Sequence, residues 1–565
     1  MTTYSAFLTL PLHISEKIAC YIFGHPDSCC PVFNNKVENK QTLPTLCEIS
    51  QLWRDIALRH ACRLIQLFLY AENSKCGWAF PDTCTSVEVY NIDMLQYVEN
   101  IRININRECL LDADFGLQLL LNTWPSSHVF PLARRVKIHY IDGQRKYNAN
   151  SADAEVEVIT AIVNRISRLV PKLQEVCLEY DINKDYEGNR RYWLNLASIM
   201  DGTLTLILPK AKRLNFHRFS LWAAKSPAYM YGAVGLTHLK ICSGNRTDIY
   251  KHIIRRNALS LNTLIIFDLD LRNIAWDLTF GDDNEAVTYP RLERLELSYY
   301  HEDGYILAQK IDSSIVLFPA LKRLCWDGPY PFIDDTPFRG NNSTLAYLSM
   351  EANEAFIRIA QKYKIFYEGS HPRLRNIVST LYYDKATWEY LDMKQYLQFT
   401  FGRISPVTQT LKLDTYDHGP MLLQTIPQYP HMTNIQALKI PQVCLMLSDI
   451  IDLLKLLPIL TFLKCGFRGL GANVTKIDYN SLPEQLYSLH YPLSNYFSCF
   501  YMPSHGYQYK DFVLSTIILA IICPRFTFAQ LNKDYSVRYY TDLKNILAAK
   551  PFSDYAGRVQ HLFKD

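Results

Sequence analysis

The chain has 565 residues, 48% hydrophobic and 20% charged, a globular composition on a length that exceeds one ordinary core. Lys and Arg total 59 against 55 Asp and Glu, a net charge of +4, and this balance excludes a wholesale nucleic-acid binder. The 15 Cys are scattered and odd in number, and "MTTYSAFLTLPLHI" lacks the basic region of a signal peptide, so reduced thiols in the cytoplasm or nucleus are expected.

The first predicted elements are helices. "LPLHISEKIACYI" sets Leu10, Pro11, Ile14, Ile18 and Ile22 in order. Pro11 suits a first helical turn, and Ile14, Ile18 and Ile22 recur every four residues on one face. After a polar stretch, "LCEISQLWRDIALRHACRLIQLFL" places Ile49, Trp53 and Ile56 at i, i+4 and i+7. An LP-led helix followed by a helix with I-x-x-x-W-R-x-I-A resembles the F-box, over about residues 8–60. The resemblance implies a small helical module within residues 1–70 that docks on the Skp adaptor of a cullin-based ubiquitin ligase. Leu10, Pro11, Ile14, Ile18, Ile22, Ile49, Trp53 and Ile56 match its adaptor-binding positions, and some of them are expected to stay solvent-accessible. His13 stands where the family carries an acid, and the stretch from Gly24 to Leu46 is longer than its usual connection. A helical cap that seals the first repeat is the alternative reading of the same residues.

From residue 71 to 495 a frame recurs: apolar, two others, apolar, one other, apolar. "PRLERLEL" (Pro290–Leu297) and "PALKRLCW" (Pro319–Trp326) are its clearest copies. Others start at positions 98, 133, 173, 211, 236, 261, 345, 374, 408, 435, 460 and 486. The spacing resembles the leucine-rich repeat, whose period is about 20–29 residues. That family implies an α/β solenoid in which each frame is a strand of one curved parallel sheet and the intervening residues return as helices on the convex side. "EVEVITAIVNRISRLV" (Glu155–Val170) and "NEAFIRIAQKY" (Asn353–Tyr363) have helical apolar spacing. Pro171, Pro290, Pro319 and Pro372, just before the frame, are expected to stop the helix and force extended backbone. In the frames ending at 178, 241, 297, 326 and 350, the family's asparagine, three residues after the last apolar position, is replaced by Asp181, Gly244, Tyr300 and Pro329, and Asn353 is the match. Irregular repeats without an asparagine ladder are therefore expected. An F-box-like start before such repeats resembles the degenerate, fungal-type F-box/leucine-rich-repeat proteins, which implies a substrate receptor of the ligase.

In a strand written this way the third and fifth positions point away from the core. They hold Arg102, Arg135, Lys137, Arg213, Lys240, Arg294, Arg323, Lys412, Lys439 and Lys464, against only Glu175 and Glu296. The seventh position adds Glu179, Asp327, Glu351 and Asp414. A basic stripe edged with acid is expected to receive an acidic or phosphorylated segment of a target protein. The competing reading is that long basic side chains only solvate an exposed sheet.

Residues 496–565 leave the frame and are expected to cap the array. "FVLSTIILAIIC" (Phe512–Cys523) is too short to span a bilayer and reads as a buried helix. "PRFTF" reads as a last strand, and "TDLKNILAAK" (Thr541–Lys550) as a helix. Phosphate-binding glycine loops, H-E-x-x-H, G-x-S-x-G and paired C-x₂₋₄-C spacings are absent from the sequence, so no catalysis, metal or cofactor is expected. The partners expected are the Skp-type adaptor with its cullin complex and a target protein, with no nucleic acid or membrane. The alternative function is a repeat scaffold with no ubiquitin role.

Overall fold

The computed structural model describes residues 15, 51–69, 77–79, 95–106, 130–141, 161, 164–165, 167–181, 210–217, 233–242, 247–267, 286–298, 315–327, 335–339, 344–352, 354–362, 364–367, 371–381, 393–415, 419–470, 499–501, 515–516, 518–519, 522–523, 528–530 and 545. The chain divides into two compact units, residues 1–287 and 288–565.

In the first unit, helix α1 (Gln51–Ala61) leads directly into strand β1 (Leu64–Leu69). β1 pairs antiparallel with β2 (Gly77–Ala79) and parallel with β3 (Asn100–Asn106). β4 (Arg135–Ile141), β5 (Glu175–Asp181), β6 (Arg213–His217), β7 (His238–Cys242) and β8 (Thr263–Phe267) then add in parallel, each beside the one before. The apolar frame dictates the register. Ile101, Val136, Val176, Leu214, Leu239 and Leu264, its fourth positions, lie side by side across the sheet and are all buried. Residues 161, 164–165 and 167–169 are helical, within the helix expected over 155–170, and α2 (Thr247–Arg256) makes the crossover from β7 to β8.

The second unit repeats the plan. β9 (Arg294–Ser298), β10 (Arg323–Asp327), β11 (Tyr347–Ala352), β12 (Asn376–Leu381), β13 (Thr410–Asp414), β14 (Ala437–Met446), β15 (Phe462–Gly469), β16 (Cys499–Tyr501) and β17 (Phe528–Gln530) are parallel, each paired with the next. The two clearest frames are direct neighbours, with Leu295 opposite Leu324 and Leu297 opposite Trp326. Parallel strands require crossovers. Helices α3 (Glu354–Lys362), α4 (Met393–Phe401), α5 (Gly419–Thr425) and α6 (Leu447–Leu456) supply them between β11 and β15. Each buried Leu or Ile of the frame contributes about 1.5–3 kcal/mol of transfer free energy, and no single strand–crossover unit could bury its face alone. The architecture is therefore an α/β repeat in both units.

The prolines do something other than force extended backbone. Pro131, Pro171, Pro290, Pro319, Pro372, Pro406 and Pro458 each occupy the second position of a tight turn that delivers the chain into the strand. The N–H of Ala133, Leu173, Leu292, Leu321, Leu374, Thr408 or Leu460 closes that turn on the carbonyl three residues earlier, at 3.0–3.3 Å. Proline pre-sets φ for this position and the missing N–H costs nothing there. The residue opening each turn (Phe130, Val170, Tyr289, Phe318, His371, Ser405, Leu457) is buried.

A backbone clasp recurs in place of the asparagine ladder. The carbonyl at the second frame position accepts two successive N–H groups from the next repeat. Gln174 O takes Lys212 N at 2.7 Å and Arg213 N at 2.9 Å, and Glu293 O takes Lys322 N at 2.8 Å and Arg323 N at 2.9 Å. The same double acceptance occurs at Arg63, Glu99, Arg134, Lys212, Thr237, Lys322, Ala346, Arg375, Gln409 and Gln436. Because it uses only main-chain atoms, it constrains spacing without constraining side-chain identity.

Among the described residues, three strands, β1, β16 and β17, lie outside the expected repeat span. β1 falls in the stretch assigned to the helical module. β16 pairs directly with β15, Phe462 opposite Cys499, so the sheet continues into the stretch assigned to the cap. The frame at 486–491 and the helix expected over 541–550, apart from residue 545, lie outside the described residues. Residues 515–516, 518–519 and 522 are helical, and Ser515, Thr516, Ile518 and Leu519 are buried, as the apolar run implied. The last strand is Phe528–Gln530, slightly beyond "PRFTF".

Behind the second unit's strands sits a buried charged lock. Asp335, in front of a short 3-10 turn (Thr336–Phe338), accepts from His371 Nε2 at 3.0 Å and from the Phe366 N–H at 3.2 Å, and it also pairs with Arg339. Both Asp335 and His371 are buried, and Phe366 stands at φ 55°, a left-handed conformation that non-glycine residues avoid. The aspartate thereby fixes a loop that local preference would not.

Candidate functional site: the outer strand face

The side of each sheet away from the core carries the third, fifth and seventh frame positions, brought into rows by the register. In the first unit the fifth-position row runs Gln66, Arg102, Lys137, Cys177, Asn215, Lys240, Ile265. In the second it runs Glu296, Cys325, Ser349, Val378, Lys412, Lys439, Lys464, Tyr501.

The basic residues expected to form one continuous stripe are present on these faces, but acids divide them. In the second unit Arg294 Nε and Arg323 Nε converge on one oxygen of Glu296, at 2.9 and 2.7 Å. Arg323 also lies over the Tyr347 ring, 3.8 Å from its centroid. Burial pushes the Glu296 carboxyl up, but the hydrogen bonds and charges of Arg294 and Arg323 together outweigh this and hold it below the usual carboxylate range. In the first unit Glu175 sits between Arg135 at 3.0 Å and Arg213 at 3.9 Å, and Glu179 pairs with Lys137. Arg102 donates to Asn104 at 3.0 Å, and His139 lies 3.3 Å from both of them. These arginines are thus structural clasps between neighbouring strands as well as surface charge.

Lys412, Lys439 and Lys464 stand at one level on β13, β14 and β15. Lys412 reaches Asp414 at 2.6 Å, and Lys439 lies 5.7 Å from the Phe462 ring centroid. In the first unit Lys240 lies 6.0 Å from the Phe267 ring centroid. Such stems shield apolar floor while the ammonium stays in water.

The seventh-position row of the second unit is the acidic edge foreseen in the sequence, with a chemistry that counting could not show. Burial pushes the Glu351 carboxyl up, and a hydrogen bond with Asp327 and that residue's charge push it further, to about 8. Ser298 Oγ donates to the same Asp327 at 3.1 Å. Cys325, one row away, donates to Glu296 at 3.6 Å, and burial with the neighbouring carboxylate drives its thiol up to about 12. A reactive thiolate needs the opposite environment.

At the N-terminus, Trp53 and Ile56 are buried at 1% exposure each; of Leu10, Pro11, Ile14, Ile18 and Trp53, some of which are expected to stay accessible, Trp53 is the one among the described residues and it is not exposed. α1 runs straight into the sheet, with Cys62 N–H donating to Leu58 O at its C-terminal end, and its Trp53 and Ile56 side chains are buried. Leu10, Pro11, Ile14, Ile18, Ile22 and Ile49 lie outside the described residues.

Among the described residues, no group of three or more His, Cys, Asp or Glu is placed to hold a metal ion, and no helix is long and apolar enough to cross a membrane. No protein-family model matches the chain, and no curated protein matches it.

Proposed function

We propose that the chain is a non-catalytic protein-interaction adaptor of the leucine-rich-repeat kind, which holds a target protein on its outer strand face. The observation that carries this reading is the register itself. Parallel strands align charged and polar side chains into long rows, while the turns and clasps that set their spacing are main-chain features, leaving the row positions open to variation in side chain. In the fuller form of the proposal, residues 1–70 act as an F-box-like module that engages a Skp-type adaptor and its cullin complex through Leu10, Pro11 and the Ile14, Ile18 and Ile22 stripe, in the cytoplasm or nucleus.

A second reading has a specific observation in its favour. The burial of Trp53 and Ile56 and the direct passage of α1 into β1 suit a helical cap that seals the first repeat. Under it the chain is a repeat scaffold with no ubiquitin role. Affinity purification of the wild type and of a Leu10→Ala/Pro11→Ala variant separates the two. Recovery of Skp and cullin with the wild type and its loss in a folded variant supports the adaptor. Recovery from neither leaves the scaffold, and equal recovery from both removes the F-box assignment of Leu10 and Pro11.

A further inference from the structure

We propose that the edge of the first unit where the chain enters strands β4 to β8 is a docking surface for an anionic lipid membrane: its cations meet the lipid phosphates and three apolar turn tips enter the bilayer. Arg134, Arg168, Lys172, Lys210 and Lys212 stand at this edge and are all exposed. None of them forms an ion pair with a described residue. One position along from Arg134 and Lys212 the situation differs, because Arg135 and Arg213 share Glu175. In the stretches that lead into β3 to β8 (95–99, 130–134, 167–174, 210–212, 233–237 and 257–262), Glu99 is the one acid among the described residues. The same turns carry exposed apolar side chains, with Leu132, Val234 and Leu259 at 38%, 49% and 71% exposure.

The fold holds these groups in one row. Asn257, buried between the last two turns, donates from Nδ2 to Ala233 O at 2.8 Å and accepts from the Leu236 N–H at 2.9 Å, which brackets Val234. Ser260 Oγ donates to Leu236 O at 2.8 Å and ties the Leu259 turn to the same place. Lys210 Nζ donates to Ser167 O at 3.0 Å, beside Arg168, and Lys212 Nζ lies 3.2 Å from where a Cβ on Gly235 would stand. With neighbouring strands about 4.8 Å apart, the row runs about 19 Å from β4 to β8. A single exposed leucine is ordinary; the combination with cations that have no carboxylate beside them is what points to lipid. Nucleic acid would meet the cations and leave the apolar tips idle. A soluble acidic protein would have to match both chemistries along a ridge of separate turns, whereas an anionic bilayer presents phosphates and acyl chains at every point along it. Such a surface lies on a membrane rather than crossing it, and a chain-wide charge of +4 does not reveal it. It is also separate from the outer strand face, so a target protein and a membrane can be held together.

The test uses the full chain and co-sedimentation with vesicles of phosphatidylcholine alone or with about 30% phosphatidylserine. Binding to the anionic vesicles is expected to be at least about tenfold tighter than to the neutral ones, a preference that shrinks as salt is raised. In K172Q/K210Q/K212Q the preference should fall to about twofold or less. In V234S/L259S binding should weaken at least about fivefold while the preference for anionic lipid is kept. All five substituted positions are exposed, thermal denaturation shows whether each variant is folded, and K172E alone serves if the triple variant is not. Equal binding to both vesicles, a preference that survives K172Q/K210Q/K212Q, or binding unchanged in V234S/L259S overturns the proposal. So does binding of poly-glutamate, lost in the triple variant, by a protein that ignores the vesicles, because the edge would then take an acidic polypeptide.

Discussion

Arg323 and Glu296, 27 residues apart in the chain, meet at 2.7 Å between Nε and Oε1, and Arg294 reaches the same oxygen at 2.9 Å. The repeat period makes this possible: β9 and β10 pair in exact frame register, so two third-position arginines flank one fifth-position glutamate. The carboxylate does structural work that its row position alone would not reveal. It neutralises a like-charged pair across strands, which by itself would destabilise the sheet.

Glu296→Gln should therefore destabilise the second unit. The arginine side chains are 45% and 39% exposed, which screens the pairs, so the expected loss at pH 7 is about 1 kcal/mol. The folded carboxyl lies below its ordinary value. Its contribution is thus present above the unfolded value near about 4.3 and fades as pH falls through the folded value. Urea denaturation of both proteins at pH 7 and pH 3 checks this. A difference as large at pH 3 as at pH 7 would contradict it.

Cys325 should resist alkylation. Its thiol, pushed up to about 12 by burial and by Glu296, remains protonated at pH 8, and the thiol form is a poor nucleophile. With iodoacetamide at pH 8, mass spectrometry should find Cys325 modified far more slowly than a free thiol in a short peptide. The Glu296→Gln variant should react faster than wild type, since one of the two causes is gone. Modification at the peptide's rate in the native wild-type protein would count against the buried environment.

Asp335→Asn should cost more than any surface change, about 3–5 kcal/mol, because it leaves a buried His371 beside a neutral amide and loosens the Phe366 turn. Burial raises the Asp335 carboxyl, and the hydrogen bonds and charges of His371 and Arg339 together outweigh it, so the folded value is depressed and the contribution is lost in acid as the pH falls through it. Differential scanning calorimetry at pH 7 reads the loss directly. A drop of under about 1 kcal/mol would show that the lock is dispensable.

Much of the strand pattern was legible in the sequence because the frame's three apolar positions answer to one physical demand, burial on one side of a strand. Leu292, Leu295 and Leu297 meet it and are buried. β1 and β16 satisfy the same frame with Cys62, Ile65 and Leu67 and with Phe497, Phe500 and Met502, but no leucine marks their first or fourth positions. The proline turn was half legible. Pro171 and Pro290 stand out, yet the buried residue ahead of each, Val170 or Tyr289, reads as the tail of a helix or loop until the hydrogen bond closes. The charge pairing was not legible. Counting ten basic against two acidic positions gives composition, whereas the outcome depends on which side chains share an oxygen. Glu175 and Glu296 each serve two arginines, and Lys137 finds Glu179 two positions along on the adjacent strand. For the N-terminal stripe, helical periodicity located Trp53 and Ile56 on one face but could not say that the face turns inward.

The last prediction concerns the proton shared along the acidic edge. Glu351 and Asp327 stand on neighbouring strands and are hydrogen-bonded, which one of them can do only by keeping a proton. Burial first, then Asp327, raises the Glu351 carboxyl to about 8, well above the unfolded value near about 4.3. A group raised in the folded state stabilises below its unfolded value, and that stabilisation is lost as pH climbs through the folded value. Between those limits the folded protein holds a proton that the unfolded chain releases, so stability should fall with a slope of up to roughly 1.4 kcal/mol per pH unit. Glu351→Gln keeps a hydrogen-bond donor for Asp327 and removes the titration. The variant should match wild type near pH 4.5 and exceed it progressively above pH 6. Urea unfolding midpoints across pH 4.5–8.5 measure the difference. Parallel curves for the two proteins would mean that the pair does not hold a proton in the folded state.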